Sequence, residues 1–189
     1  MRNAVLLATL VLVGCAGSLP ALAQDTNAQA KGKQLSPTQA VVESWNDVGK
    51  KLIAMAEDFP EDKYDYKPNP DERTFADQLM HMAGANYYLT NMLLGQKPPA
   101  SDDLKRGQRS KAEVVAFVRK SIADGATALQ AKGDKGMDAT LVDPFSKDEA
   151  RVYDFAYGFI EHMGEHYGQL VVYYRTAGLV PPASRPKKK

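Results

Sequence analysis

Apolar residues recur at three- and four-residue intervals in four separate stretches of this 189-residue chain, and nowhere do they alternate with period two over a useful length. That spacing gathers apolar side chains on one face of a helix and argues against a sheet protein. Val41, Trp45, Val48, Leu52 and Ala56 form the first stripe, and Phe75, Leu79, Met82, Ala85, Leu89 and Leu93 the second. Val114, Phe117, Val118, Ile122 and Leu129 form the third, and Val152, Phe155, Phe159, Met163, Leu170 and Tyr174 the fourth. Start and stop signals bracket each stripe. Ser36-Pro37 opens the first and Phe59-Pro60 closes it; Thr74 with Asp77 opens the second and Gly95 ends it. Ser110 with Glu113 makes a capping box for the third, which Gly133 and Gly136 close. Ser146 with Glu149 makes another for the fourth, which stops at Gly178 and Pro181-Pro182. The expected helices cover 37–57, 74–94, 110–132 and 146–176. Each can bury one stripe about 100° wide, so the chain is predicted to be all-α, a four-helix bundle around one core. Between the helices, 60–72 reads as a proline-rich loop anchored by Tyr64 and Tyr66, and Pro98-Pro99 opens a polar linker to Arg109. The stretch 138–144 is a connection with room for a short extended piece.

The chain ends read differently. Residues 1–23 carry a single early charge at Arg2, an apolar run of about ten residues from Ala4 to Val13, and Ala21-Leu22-Ala23 before Gln24. This is the pattern of a secretory signal, with an apolar run too short to span a bilayer. It predicts a periplasmic or secreted protein. Leu12-Val13-Gly14-Cys15 also resembles a lipobox, in which case Cys15 would be lipidated and the domain tethered to a membrane; no other membrane association is expected. Residues 24–35 are a polar lead-in, 36–182 the helical domain, and 183–189 a basic tail ending in three lysines. Hydrophobic residues make up 44% of the chain and charged residues 25%, a globular balance. The net charge of +1 argues against a nucleic-acid partner, and a lone cysteine excludes a disulfide framework or a cysteine-built metal site.

The chain has three histidines, and all fall on or beside the apolar stripes. His162 and His166 stand four apart on the fourth helix, hence on one face, with His166 central and His162 nearer the edge. His81 lies at the margin of the second stripe. A single histidine at such a margin is ordinarily a hydrogen-bonded core residue. Two imidazoles on one face are harder to bury without a metal or an acidic partner, and a third on another helix completes a set that leaves a coordination position open. Other metal templates fail. His162 to His166 matches H-x-x-E-H, but no acidic residue follows Glu165 to serve as the third ligand. A di-iron bundle needs E-x-x-H, whereas Gln78, Phe159 and Met163 precede the histidines by three. No C-x-x-C-H haem signature and no G-x-S-x-G elbow occur. Glu165 is the nearest candidate general base, against the alternative of an exposed helix-surface carboxylate.

These residues carry a resemblance. The stretch Arg73-Thr-Phe-Ala-Asp-Gln-Leu-Met-His81-Met-Ala-Gly-Ala-Asn-Tyr87, the stretch Glu165-His-Tyr-Gly-Gln-Leu-Val-Val-Tyr-Tyr-Arg175 and Gly178-Leu-Val-Pro-Pro182 resemble the DinB/YfiT family of metal-dependent enzymes. The resemblance implies a four-helix bundle with a long crossover connection. It implies one divalent transition-metal ion, Zn, Ni or Fe, on His81, His162 and His166. Many members carry arginine after the last ligand, where this chain has Tyr167. Relatives include thiol-dependent transferases and members described as hydrolases, so the resemblance implies a hydrolase or transferase acting on a small molecule. A cytoplasmic thiol cosubstrate fits poorly with export. A non-catalytic periplasmic metal-binding or interaction module is the alternative, and a second copy of the chain is the one protein partner considered.

Overall fold

A computed structural model describes residues 34–97, 99, 106–143 and 146–186. The expected signal segment, Cys15, most of the lead-in and the three terminal lysines lie outside the described residues. Helix α1 is Pro37–Asp58, α2 is Phe75–Leu93, α3 is Lys111–Met137 and α4 is Val152–Thr176. The caps do what the sequence signals require. Ser36 Oγ accepts from Gln39 N, and Gln39 Oε1 accepts in return from Ser36 N at 3.0 Å. Thr74 Oγ1 accepts from Asp77 N at 3.0 Å, and Ser110 and Glu113 close a reciprocal capping box.

The packing order differs from the chain order. α1 packs on α3 and α4, and α2 likewise packs on α3 and α4, so α1 stands diagonally from α2 and α3 diagonally from α4. The connections after α1 and after α3 therefore both cross the bundle, while α2 and α3 are neighbours. The crossing at 59–74 is pinned by aromatic rings. Phe59 stacks on Phe75 with centroids 3.8 Å apart, Tyr64 meets Phe75 edge-on at 5.4 Å, and the Tyr64 hydroxyl donates to the Ala56 carbonyl. Tyr174 of α4 donates to the Met55 carbonyl at 2.8 Å, tying the same cluster to the end of α1. α1 and α3 approach closely because Trp45, fully buried, lies over Gly125 and donates its indole N–H to the Ile122 carbonyl at 2.9 Å.

Two boundaries depart from the expected ones. Helical residues of α3 run to Met137, but Gly133 breaks the regular helix with φ 60°. That turn, open to glycine at no steric cost, lets Asp134 accept from Ser36 Oγ at 2.9 Å and from Thr38 N at 3.0 Å, so it caps α1 from a neighbouring helix. The fourth helix starts at Val152, six residues later than its expected start at Ser146. Strands β1 (Thr140–Val142) and β2 (Glu149–Arg151) instead pair antiparallel ahead of it. Ser146 Oγ accepts from Asp148 N at 3.2 Å, a side-chain turn, so the box with Glu149 does not form. Asp154, accepting from Arg151 N and from its guanidinium, opens α4 in its place.

Candidate metal centre

α2 and α4 run antiparallel, and their shared seam is layered. At one end Phe75 meets Tyr173 with centroids 6.1 Å apart. In the middle His81 meets His166 at 5.1 Å and His162 at 5.6 Å, while His162 and His166 are 4.3 Å apart. At the far end Tyr88 stacks on Phe159 at 6.1 Å. The register follows from the apolar stripes. Anchoring Phe75 on the Tyr173-Tyr174 pair sets His81, six residues on, against the i, i+4 pair of α4.

The structure thus brings all three histidines together. Each offers a ring nitrogen, and these lie within 4.8 Å of one another. Two bonds near 2.1 Å to one ion span at most about 4.2 Å, so closure of the widest pair on an ion asks a further shift of up to about 0.6 Å. The tightest pair is His162 Nε2 and His166 Nε2, 2.9 Å apart. Two bonds of about 2.1 Å to one ion would span that gap at an angle near 90°. Without an ion, one ring must carry its proton on Nε2 and donate to the other.

The surroundings of His166 suit a lone pair directed inward. His166 is 5% exposed, while His81 and His162 are half-buried. His166 Nδ1 lies 2.8 Å from Gln169 Oε1 and 2.9 Å from Gln78 Nε2. With a proton on Nδ1 the ring donates to Gln169 Oε1, an acceptor only, and Nε2 keeps its lone pair towards the other rings; the Gln78 amide N–H is then directed to Gln169 rather than to the ring. That bond locks the two amides together. Burial holds the His166 ring well below its ordinary range, down to about 4, helped by the neighbouring His162 and His81. Burial also lowers His81, with Arg73 and His162 adding to it, and lowers His162 against an opposing pull from Glu165. All three rings are therefore neutral at pH 7, the state a metal ligand requires.

Glu165 is solvent-exposed and makes no hydrogen bond to the histidines. The exposed-carboxylate reading of it is the one its position supports. Tyr167, at the position where the resemblance implied arginine, is half-buried with Lys51 over its ring at 5.7 Å. Sequence reasoning missed Gln78 and Gln169. Gln78 stands three residues before His81, where the di-iron pattern requires a carboxylate, and Gln169, three after His166, falls on none of the metal templates.

Comparison with known proteins agrees with the fold. The DinB superfamily model matches residues 45–170. No curated protein matches the chain. Among solved structures, a DinB-like protein from Bacillus cereus ATCC 10987 is 20% identical, with 75% of this chain and 93% of that one covered at a TM-score of 0.63. The DinB-like protein YjoA of Bacillus subtilis is 17% identical, covering 79% and 99%, with a TM-score of 0.61. YfiT of Bacillus subtilis is 13% identical, covering 78% and 93%, with a TM-score of 0.59; it is described as a probable metal-dependent hydrolase with an unusual four-helix bundle topology. At these identities the likeness is one of fold.

Proposed function

The chain belongs to the DinB superfamily, and on that footing we propose that it is an exported metal-dependent hydrolase that holds one divalent transition-metal ion on His81, His162 and His166 and acts on a small molecule. The observation that carries this is the 2.9 Å approach of the His162 and His166 Nε2 atoms, with a His81 nitrogen within 4.8 Å. The residues fit such an ion: three neutral imidazoles from two helices converge, and His166 is oriented by an amide on its far nitrogen. An ion held by His81, His162 and His166 would supply a Lewis acid able to acidify water and polarise a substrate oxygen. The chain's own residues set the approach. Buried His166 and Gln78 close one side, and half-buried His81 and His162 leave the other accessible. Hydrolysis is favoured over thiol transfer by two things: the signal-like segment 1–23, which takes the chain away from cytoplasmic thiols, and the description given to YfiT.

Elemental analysis of protein purified without an affinity tag tests the reading. About one ion per chain is expected, lost most completely in His166→Ala and strongly reduced in His81→Ala and His162→Ala. A folded chain that takes up no Zn, Ni or Fe overturns it. Mass spectrometry of the exported protein should give Gln24 as the first residue; a lipidated Cys15 there would replace free export by membrane tethering.

A further inference from the structure

Resting on that reading of the histidines, we propose that the accessible side of the site is a niche for a planar apolar group of the substrate, such as an aryl ring, with Phe159 as its wall and Tyr88 as its end. The accessible side is defined by burial: His166 is closed off and His81 and His162 are half-buried. Phe159 precedes His162 by three residues and shares its helix face, and the two rings meet edge-on with centroids 6.5 Å apart. Tyr88 follows His81 by seven residues, two turns along the same face of α2, and stacks on Phe159 at 6.1 Å with 23° between the ring planes. Between His81 and Tyr88 that face carries only the methyl of half-buried Ala85. The rim of the histidine cluster is thus aromatic carbon next to a small residue, and both aromatic rings pack against the core while staying only half-buried.

The end of the niche is held in place before any ligand arrives. The Tyr88 hydroxyl donates to Asp143 Oδ1 at 2.9 Å, and the hairpin turn is built around that same residue. Asp143 Oδ1 also accepts from Ser146 N at 3.0 Å, its own N–H donates to the Asp148 carbonyl at 2.8 Å, and its carbonyl accepts from Lys147 N at 3.0 Å. A fixed ring loses no rotamer freedom on binding, so its contact with a ligand is retained as affinity. An added ring against an aromatic wall is worth roughly a tenfold change in binding beyond what a methyl group gains there.

The test uses the whole chain loaded with Co(II), whose visible absorption reports ligation, titrated with acetohydroxamate and benzohydroxamate. Both present the same metal-binding head and differ in methyl against phenyl. Benzohydroxamate should bind roughly tenfold tighter, and Phe159→Leu, which keeps the bulk but removes the ring, should bring the two within about threefold with cobalt stoichiometry unchanged. Phe159→Ala serves as a second variant with the same expectation. Equal binding of the two hydroxamates by the wild-type chain, or an undiminished preference in Phe159→Leu, overturns the niche while leaving the metal reading in place. A folded chain that takes up no cobalt overturns both.

Discussion

Acidifying the metal-free protein should destabilise it through His166 in particular. Its folded-state value is about 4, against about 6.5 for an exposed histidine, because protonation would place a charge in a nearly closed site beside two other imidazoles. The unfolded chain therefore binds the proton more readily across this window, and stability falls as pH drops from about 6.5 to about 4, then changes no further through this group. Two and a half pH units at 1.36 kcal/mol each set a ceiling of about 3 kcal/mol, of which about 2 kcal/mol is lost by pH 5. Urea unfolding at pH 7.5 and pH 5.0 in the presence of a chelator reads this loss. Carboxylates contribute little above pH 5, and His166→Asn removes the titration at 166, so the wild-type loss minus the variant loss isolates it. A difference of about 1.5–2 kcal/mol is expected. Equal losses in the two proteins would refute the claim that His166 is held neutral by burial.

Two other perturbations probe the neighbourhood and the scaffold separately. Gln78→Leu preserves the bulk of a buried side chain but removes the amide beside His166 Nδ1. It should cost about 10- to 100-fold in metal affinity by competition against a chelating dye, and a loss under threefold would show the amide pair to be uninvolved. Gly125→Ala places a Cβ 2.9 Å from Trp45 Cε2 and closer still to Cζ2, and the indole cannot retreat without breaking its bond to the Ile122 carbonyl. A loss of about 1–3 kcal/mol in thermal or urea unfolding is expected, with metal content unchanged. An unaltered midpoint would mean the helices separate more freely than their packing implies.

Local chemistry made the helices legible in the sequence. Caps such as Ser36, Thr74 and Ser110 act over three residues, and a stripe such as Val41-Trp45-Leu52 declares its buried face by spacing alone, so neither needs knowledge of a partner. The histidines were legible for the same reason, since i, i+4 on α4 and a stripe margin on α2 are one-helix statements. The start of α4 was not, because Ser146 satisfies the rule for a helix cap and for a side-chain turn equally well. The choice went to the turn when 140–142 found 149–151 as a pairing partner. Which helices touch was equally beyond the sequence: a stripe says that a face is buried but not against what, and here consecutive α1 and α2 stand on a diagonal. The amides of Gln78 and Gln169, residues from different helices, acquire their part only when the seam of α2 and α4 aligns them on His166. A pair of neutral polar side chains 91 positions apart carries no spacing signal, and their shared bond exists only once the tertiary register is set.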